Sequence, residues 1–227
     1  MARFFSLEYA EHATLRDGTP VVLRLVTPED KELLLTGFEG LSQESRYARF
    51  LGSKTALSPD ELRYLTELDH ETHFAIGAIT EPDATGAVRG LGVARFIRLA
   101  DPQVAEAAIA VTDDMQGKGL GKLLFLRLVA AAAERGVATF HCEILGSNAS
   151  MRELIRTISP DAVIESGGGL MSIDLPVPNV QPTQASSEPL AENPMYGLFK
   201  LVASNAIEWT AAVRNLWRRG SRSDGDA

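Results

Sequence analysis

The 227-residue sequence predicts an α/β domain, a twisted and mostly antiparallel sheet flanked by helices, followed by a linker and one amphipathic helix. Three observations carry this. Short runs of alternating apolar residues recur from Pro20 onward, several of them close enough in sequence to form a meander. Stretches with helix-capping signals stand between them. A glycine-rich turn at 116–121 joins one strand to a long apolar helix.

The elements follow in order. Pro20 to Val26 alternates Val21, Leu23 and Leu25 against Val22 and Arg24, a strand pattern. Thr27-Pro28-Glu29-Asp30 starts a helix, with a capping hydroxyl, proline at the first position and acids in the first turn; it should run to about Phe38. Ser42 to Phe50 and Pro59 to Leu68 are further helices, the second capped by Ser58 with Glu61 behind it. Phe74 to Thr80 and Val88 to Leu99 read as strands joined around Thr85-Gly86. Val104 to Val111 is a third strand of the meander. Its alanines are poor strand formers, which implies that something else needs the space. The helix behind the glycine turn runs through Leu123 and Ala133 and stops at Arg135-Gly136. Val137 to Leu145 is a strand, Asn148 caps a helix to Thr157, and Leu170 to Leu175 is the last strand.

The domain is therefore expected over 1–175. From Pro176, five prolines among polar residues mark a linker over 176–195. Phe199, Val202, Ala206, Trp209, Val213 and Leu216 then recur at spacings of three and four, one apolar stripe on a helix over 196–219. That stripe would pack on its own domain, on a second copy or on a partner; a membrane surface is the other alternative. Residues 220–227 form a frayed tail.

Composition narrows the function. A chain that is 45% hydrophobic builds a core, and a formal charge of −8 argues against general binding to nucleic acid or anionic membrane. No apolar run reaches transmembrane length, and MARFFSLEYAEH lacks a signal h-region. A single cysteine, Cys142, excludes an intrachain disulfide and a cysteine-based zinc cluster. No metal site is expected, and a cytoplasmic location is.

The turn Gln116-Gly117-Lys118-Gly119-Leu120-Gly121 has the chemistry of a phosphate cradle. Its glycines allow backbone to approach a ligand, and the helix start behind them offers free N–H groups at a positive dipole end. Lys118 or Lys122 would add charge. The spacing matches neither the Walker pattern nor the dinucleotide fingerprint. An empty strand–helix turn is the bland alternative.

Gln-x-x-Gly-x-Gly at 116–121, preceded by Ile109-Ala110-Val111, resembles the acetyl-CoA motif of the GNAT superfamily of N-acetyltransferases, with closer likeness to its bacterial protein-lysine (Pat-type) branch. Supporting segments are Arg16–Pro20, Leu41-Ser42-Gln43-Glu44-Ser45-Arg46-Tyr47, Leu68-Asp69-His70, Ala105-Glu106-Ala107-Ala108 and Asn148-Ala149-Ser150-Met151, together covering roughly 13–158 in order. The resemblance implies acetyl-CoA as co-substrate, pyrophosphate on the backbone of 116–121, pantetheine along the exposed backbone of Ile109, Ala110 and Val111, and a cofactor contact from Asn148. It implies that the strand before the loop splays from its neighbour. It also implies a protein lysine as acceptor.

Acetyl transfer to an amine needs a proton acceptor and stabilisation of the thioester oxygen. Glu106, the only carboxylate in its strand, is the candidate base; apolar surroundings would raise its pKa. A solvent-facing glutamate is the alternative reading. An acetyl-cysteine route through Cys142 is disfavoured because strand alternation places it with Phe140 and Ile144, away from His141 and Glu143. His70 and His73 read as loop residues, Arg46 and Arg49 as surface charges. Two other functions stay open: a small-molecule amine acetyltransferase, and a non-catalytic acyl-CoA-binding docking module.

Overall fold

The computed structural model describes residues 3–159 and 162–177. The expected linker beyond 177, the helix over 196–219 and the tail lie outside them. The chain runs β1 (Ala10–Thr14), β2 (Pro20–Leu25), α1 (Lys31–Glu39), α2 (Gln43–Phe50), α3 (Pro59–Thr66), β3 (His73–Ile79) and β4 (Gly90–Arg98). It continues through β5 (Val104–Val111), α4 (Leu120–Glu134), β6 (Thr139–Leu145), α5 (Ala149–Ile158), β7 (Val163–Gly167) and β8 (Leu170–Pro176). The strands form one sheet of eight in the order β1-β2-β3-β4-β5-β6-β8-β7. Every pairing is antiparallel except β5 with β6. The expected mostly antiparallel α/β architecture is the one observed.

Helices cover both faces. On one, Phe74, Phe96 and Phe140 make a row of rings, 5.4 and 5.9 Å between successive centroids, with Phe125 of α4 6.1 Å from Phe140. Phe96 and Phe140 belong to β4 and β6, which β5 separates. They meet because between them β5 presents the small Ala105 and Ala107, both buried. Packing is tight: a Cβ on Gly92 would lie 3.0 Å from the Ala110 carbonyl oxygen and 3.1 Å from Leu124. The opposite face carries α1–α3; Leu34 and Phe38 of α1, with Leu57 from the connection before α3, enclose a cavity against Gly77, Val93 and Ala110.

The cap expected at Ser58 forms, and Ser42 adds one at the start of α2. Ser42 accepts from the Ser45 N–H, and Ser58 and Glu61 make a reciprocal capping box. The turn at Pro28–Asp30 is 3₁₀ rather than α, because Asp30 turns back to accept from the Thr27 N–H and from both terminal nitrogens of Arg24. Two strands were not anticipated. β1 (AEHAT) is an edge strand with no buried residue, and β7 (VIESG) ends in glycine, so neither carries the apolar alternation that marks a half-buried strand. Arg127 of α4 fastens β1 to the body through a bidentate pair with Glu11, 2.6 and 2.7 Å.

Candidate active site

The parallel ladder between β5 and β6 is short. It pairs Val104 with Thr139, Ala105 with Phe140 and Glu106 with His141, and then ends. Beyond Glu106, residues 107–111 remain paired to β4 alone, so the β6-facing backbone edge of Ile109, Ala110 and Val111 has no strand beside it among the described residues. The expected splay is present. It opens toward the C-terminal end of β5, where the glycine turn begins.

In that turn Gly117 and Gly119 take φ of +74° and +94°, conformations that L side chains resist. The first hydrogen bond of α4 runs from the Leu123 N–H to the Gly119 carbonyl, 3.1 Å. Among the described residues nothing accepts from the N–H groups of Gly117 through Lys122. Six donors at a helix N-terminus without acceptors are chemically suited to a pyrophosphate. The Gln116 N–H is engaged instead, 3.3 Å from the Asp113 carbonyl. Its side-chain amide lies 3.2 Å from Ser45 Oγ, 3.0 Å from Asp113 Oδ1 and 3.4 Å from the Val111 carbonyl. Asp113 also accepts from the Ser42 N–H and the Ser45 hydroxyl, 2.7 and 2.5 Å. Burial pushes the Asp113 carboxyl up, and these bonds outweigh it and hold the group below its ordinary value. Gln116 and Asp113 thus tie the start of α2 to the loop.

Of the two loop lysines, Lys118 is committed to Asp17 at 3.0 Å. Lys122 is the available cation. Its ammonium is held below the usual lysine value by burial and by the neighbouring Arg16. Arg16 packs over the loop, its side chain 3.6 to 3.7 Å from where a Cβ on Gly119 would stand.

The alanines of β5 divide between two tasks. Ala105 and Ala107 belong to the aromatic core just described, so only Ala108 and Ala110 make room on the α1–α3 face. Glu106 shares that face but is solvent-exposed, which corrects the expectation of apolar surroundings. Its charged neighbour is Arg49 of α2. Arg49 lines the cavity together with Arg95 of β4, so it is not the surface charge that its helical setting suggested.

The comparisons with known proteins bear on this arrangement. The family model described as "Acetyltransferase (GNAT) family" matches residues 40–157, more than half of the chain, and includes β5, the glycine turn and α4. The chain is a GNAT acetyltransferase. As such it uses acetyl-CoA as its acetyl donor. "Acetyltransferase PA5475" of Pseudomonas aeruginosa is 30% identical over 141 residues, 62% of this chain and 75% of that protein. "Acetyltransferase Pat" of Mycolicibacterium smegmatis is 35% identical over 166 residues, 71% of this chain but only 48% of its own length. The GNAT domain of S. lividans PAT superposes with a TM-score of 0.66 at 25% identity, covering 76% of this chain and 99% of that domain. These similarities place the acetyltransferase in the Pat-type branch.

The remaining candidates take definite positions in the acetyltransferase. Asn148 caps α5 through its Oδ1, which accepts from the Met151 N–H at 3.0 Å, and its amide nitrogen is left to donate to a cofactor. Cys142 is buried with Phe140 and Ile144, and burial pushes its thiol up to about 12. A thiolate nucleophile is not available there. His73 opens β3 rather than lying in a loop, packs at a tilt against Tyr64 with 4.8 Å between ring centroids, and meets Arg95 at 3.2 Å. Arg46 closes the end of α1, donating to the Leu41 and Glu39 carbonyls. Among the described residues no three His, Cys, Asp or Glu side chains are grouped to hold a metal, and no helix is long and apolar enough to cross a membrane. Arg95 and Asp113 carry no sequence signal of their own, whereas Arg16, Ser45 and Gln116 stand in segments that carry the family likeness, and Gln116 is the cofactor-loop candidate that the structure joins to Ser45 and Asp113.

Proposed function

We propose that this acetyltransferase moves the acetyl group of acetyl-CoA to a protein lysine by direct attack, with Glu106 as the base. The observation that carries the reading is the end of the β5–β6 ladder at Glu106, which leaves an unpaired backbone edge leading from the glycine turn to a carboxylate. The pyrophosphate would lie on the N–H groups of Gly117, Lys118, Gly119, Leu120 and Gly121, with Lys122 and Arg16 supplying positive charge. The pantetheine amides would pair with the free edge of Ile109, Ala110 and Val111, in the manner of an added strand. A backbone N–H near Val111 would polarise the thioester carbonyl.

Glu106 then takes a proton from the lysine ammonium and frees the lone pair that attacks. The C–N bond forms, the C–S bond breaks, and the second nitrogen proton passes to the leaving CoA thiolate, which departs as the thiol. Exposure of Glu106 suits an acceptor presented on the surface of another protein. The likeness to the Pat-type relatives supports lysine. Replacing Glu106 by Gln and measuring both acetyl-CoA binding by calorimetry and transfer to a lysine-containing protein tests the scheme. Binding should persist while transfer falls on the order of 100-fold or more. Undiminished transfer removes Glu106 as the base, and absent binding in the unaltered protein removes the whole reading.

A further inference from the structure

Two cations lining the cavity beneath α1–α3, Arg49 and Arg95, have no carboxylate hydrogen-bonded to them among the described residues, and the exposed Glu106 is the charged neighbour of Arg49 alone. Arg95 is only 4% exposed. Its Nη1 donates to the Leu65 carbonyl at 3.3 Å and to His73 Nε2 at 3.2 Å, while Nε and Nη2 donate to no described residue. Both partners are neutral, since burial and then Arg95 itself push His73 down to about 4. Arg49 makes no hydrogen bond or ion pair among the described residues; its guanidinium carbon sits 5.1 Å from the Phe50 ring centroid. The other charged pair lining the cavity, Arg24 and Asp30, satisfies itself at 2.5 and 2.7 Å. Buried guanidinium groups are ordinarily matched to carboxylates, because removing a charge from water is otherwise costly. Their planar donor forks fit a carboxylate in particular.

The cavity measures about 830 Å³ including its open mouth, and between the arginines its walls are apolar. Ala110 and Val111 form part of that wall. They are the residues whose backbone would hold the pantetheine arm, so the acyl end of the donor enters from this side. Glu106 stands exposed on the same face, which leaves the acceptor to arrive from solvent. We propose that the cavity receives the distal carboxylate of the acyl group on Arg49 and Arg95, so that the enzyme transfers dicarboxylic acyl groups of the succinyl or glutaryl class as well as acetyl. The inference rests on the acyl-CoA donor reading above. The chemistry is balanced in the same way: Glu106 takes one proton from the ammonium, the lysine nitrogen bonds to the thioester carbon, the C–S bond breaks, and the second nitrogen proton passes to the departing thiolate, which leaves as CoA thiol.

The test compares succinyl-CoA with acetyl-CoA on one lysine-containing protein, for the unaltered enzyme, Arg49→Leu and Arg95→Met. Succinyl transfer by the unaltered enzyme is expected, with a kcat/KM ratio of succinyl to acetyl that drops at least about tenfold in each variant. Thermal unfolding checks that Arg95→Met still folds; if it does not, the more accessible Arg49→Leu decides alone. A ratio that does not move, or a protein that uses acetyl-CoA and refuses succinyl-CoA, overturns this proposal and leaves the donor reading intact. Failure to bind either thioester overturns both. A third arm offers free glutamate as acceptor with acetyl-CoA as donor. Saturable acetylation that Arg49→Leu abolishes would put the carboxylate on the acceptor and overturn the acyl assignment.

Discussion

Replacing Gly119 by alanine separates the loop's conformation from its sterics. A Cβ at 119 would come no closer than 3.6 Å to Arg16, an ordinary contact, so crowding is not the obstacle. The obstacle is φ of +94°, which costs an L residue about 1–2 kcal/mol. If the loop holds its shape, the protein loses that amount of stability, about 2–8 °C in melting temperature for a domain of this size. If the loop relaxes, the N–H groups of 117–122 cease to converge, and every 1.4 kcal/mol of lost contact weakens acetyl-CoA about tenfold. Gly121→Ala is the internal reference. Gly121 lies within α4, and its Cβ would meet Val111 at 3.7 Å without strain, so alanine there should stabilise the unliganded protein by up to about 1 kcal/mol. Calorimetric melting of both variants and titration of Gly119→Ala with acetyl-CoA read the two effects. Equal melting shifts for the two substitutions, or undiminished acetyl-CoA affinity in Gly119→Ala, would refute the assignment of a strained cradle.

Three further outcomes follow from the packing. Arg127→Met removes the bidentate partner of Glu11 at a side chain only 5% exposed, so chemical denaturation should show a loss of about 3–5 kcal/mol, with much of it recovered in the double variant Arg127→Met/Glu11→Leu. His73 has a folded pKa near 4, below the unfolded value near 6.5, so its contribution to stability is full above 6.5 and lost as the pH falls toward 4; His73→Phe should flatten the melting temperature across that window. Cys142, with its thiol at about 12, should resist a thiol reagent at pH 8 until denaturant is added, and Cys142→Ala should still transfer acetyl groups; a dead variant that remains folded would restore the acetyl-cysteine route.

What could be read from the sequence was local. Ser42, Ser58 and Asn148 cap their helices where a hydroxyl or amide stands before a periodic run, because a cap depends on residues three apart. The glycine turn was legible for the same reason. Features requiring distant strands to meet were not. The alanines of β5 signalled a need for space, but only the row from Phe74 to Phe140 shows that two of them serve the core. Glu106 looked apolar in its surroundings because its sequence neighbours are alanines, yet its face of the sheet is open there. Arg95 sits in an otherwise ordinary β4 run, and its isolation appears only when α2 and β3 close around it.

With the donor bound as proposed, the ladder that ends at Glu106 would also make that donor a structural part of the molecule. Without it, five residues of an interior strand expose an unpaired edge in the middle of the sheet, a site where another extended chain would add. A thioester bound as proposed would occupy that gap, and at a hundred times its dissociation constant it would stabilise the fold by about 2.7 kcal/mol. The standing concentration of the protein in a starved cell should then track its supply of acyl-CoA, through proteolysis of the open form.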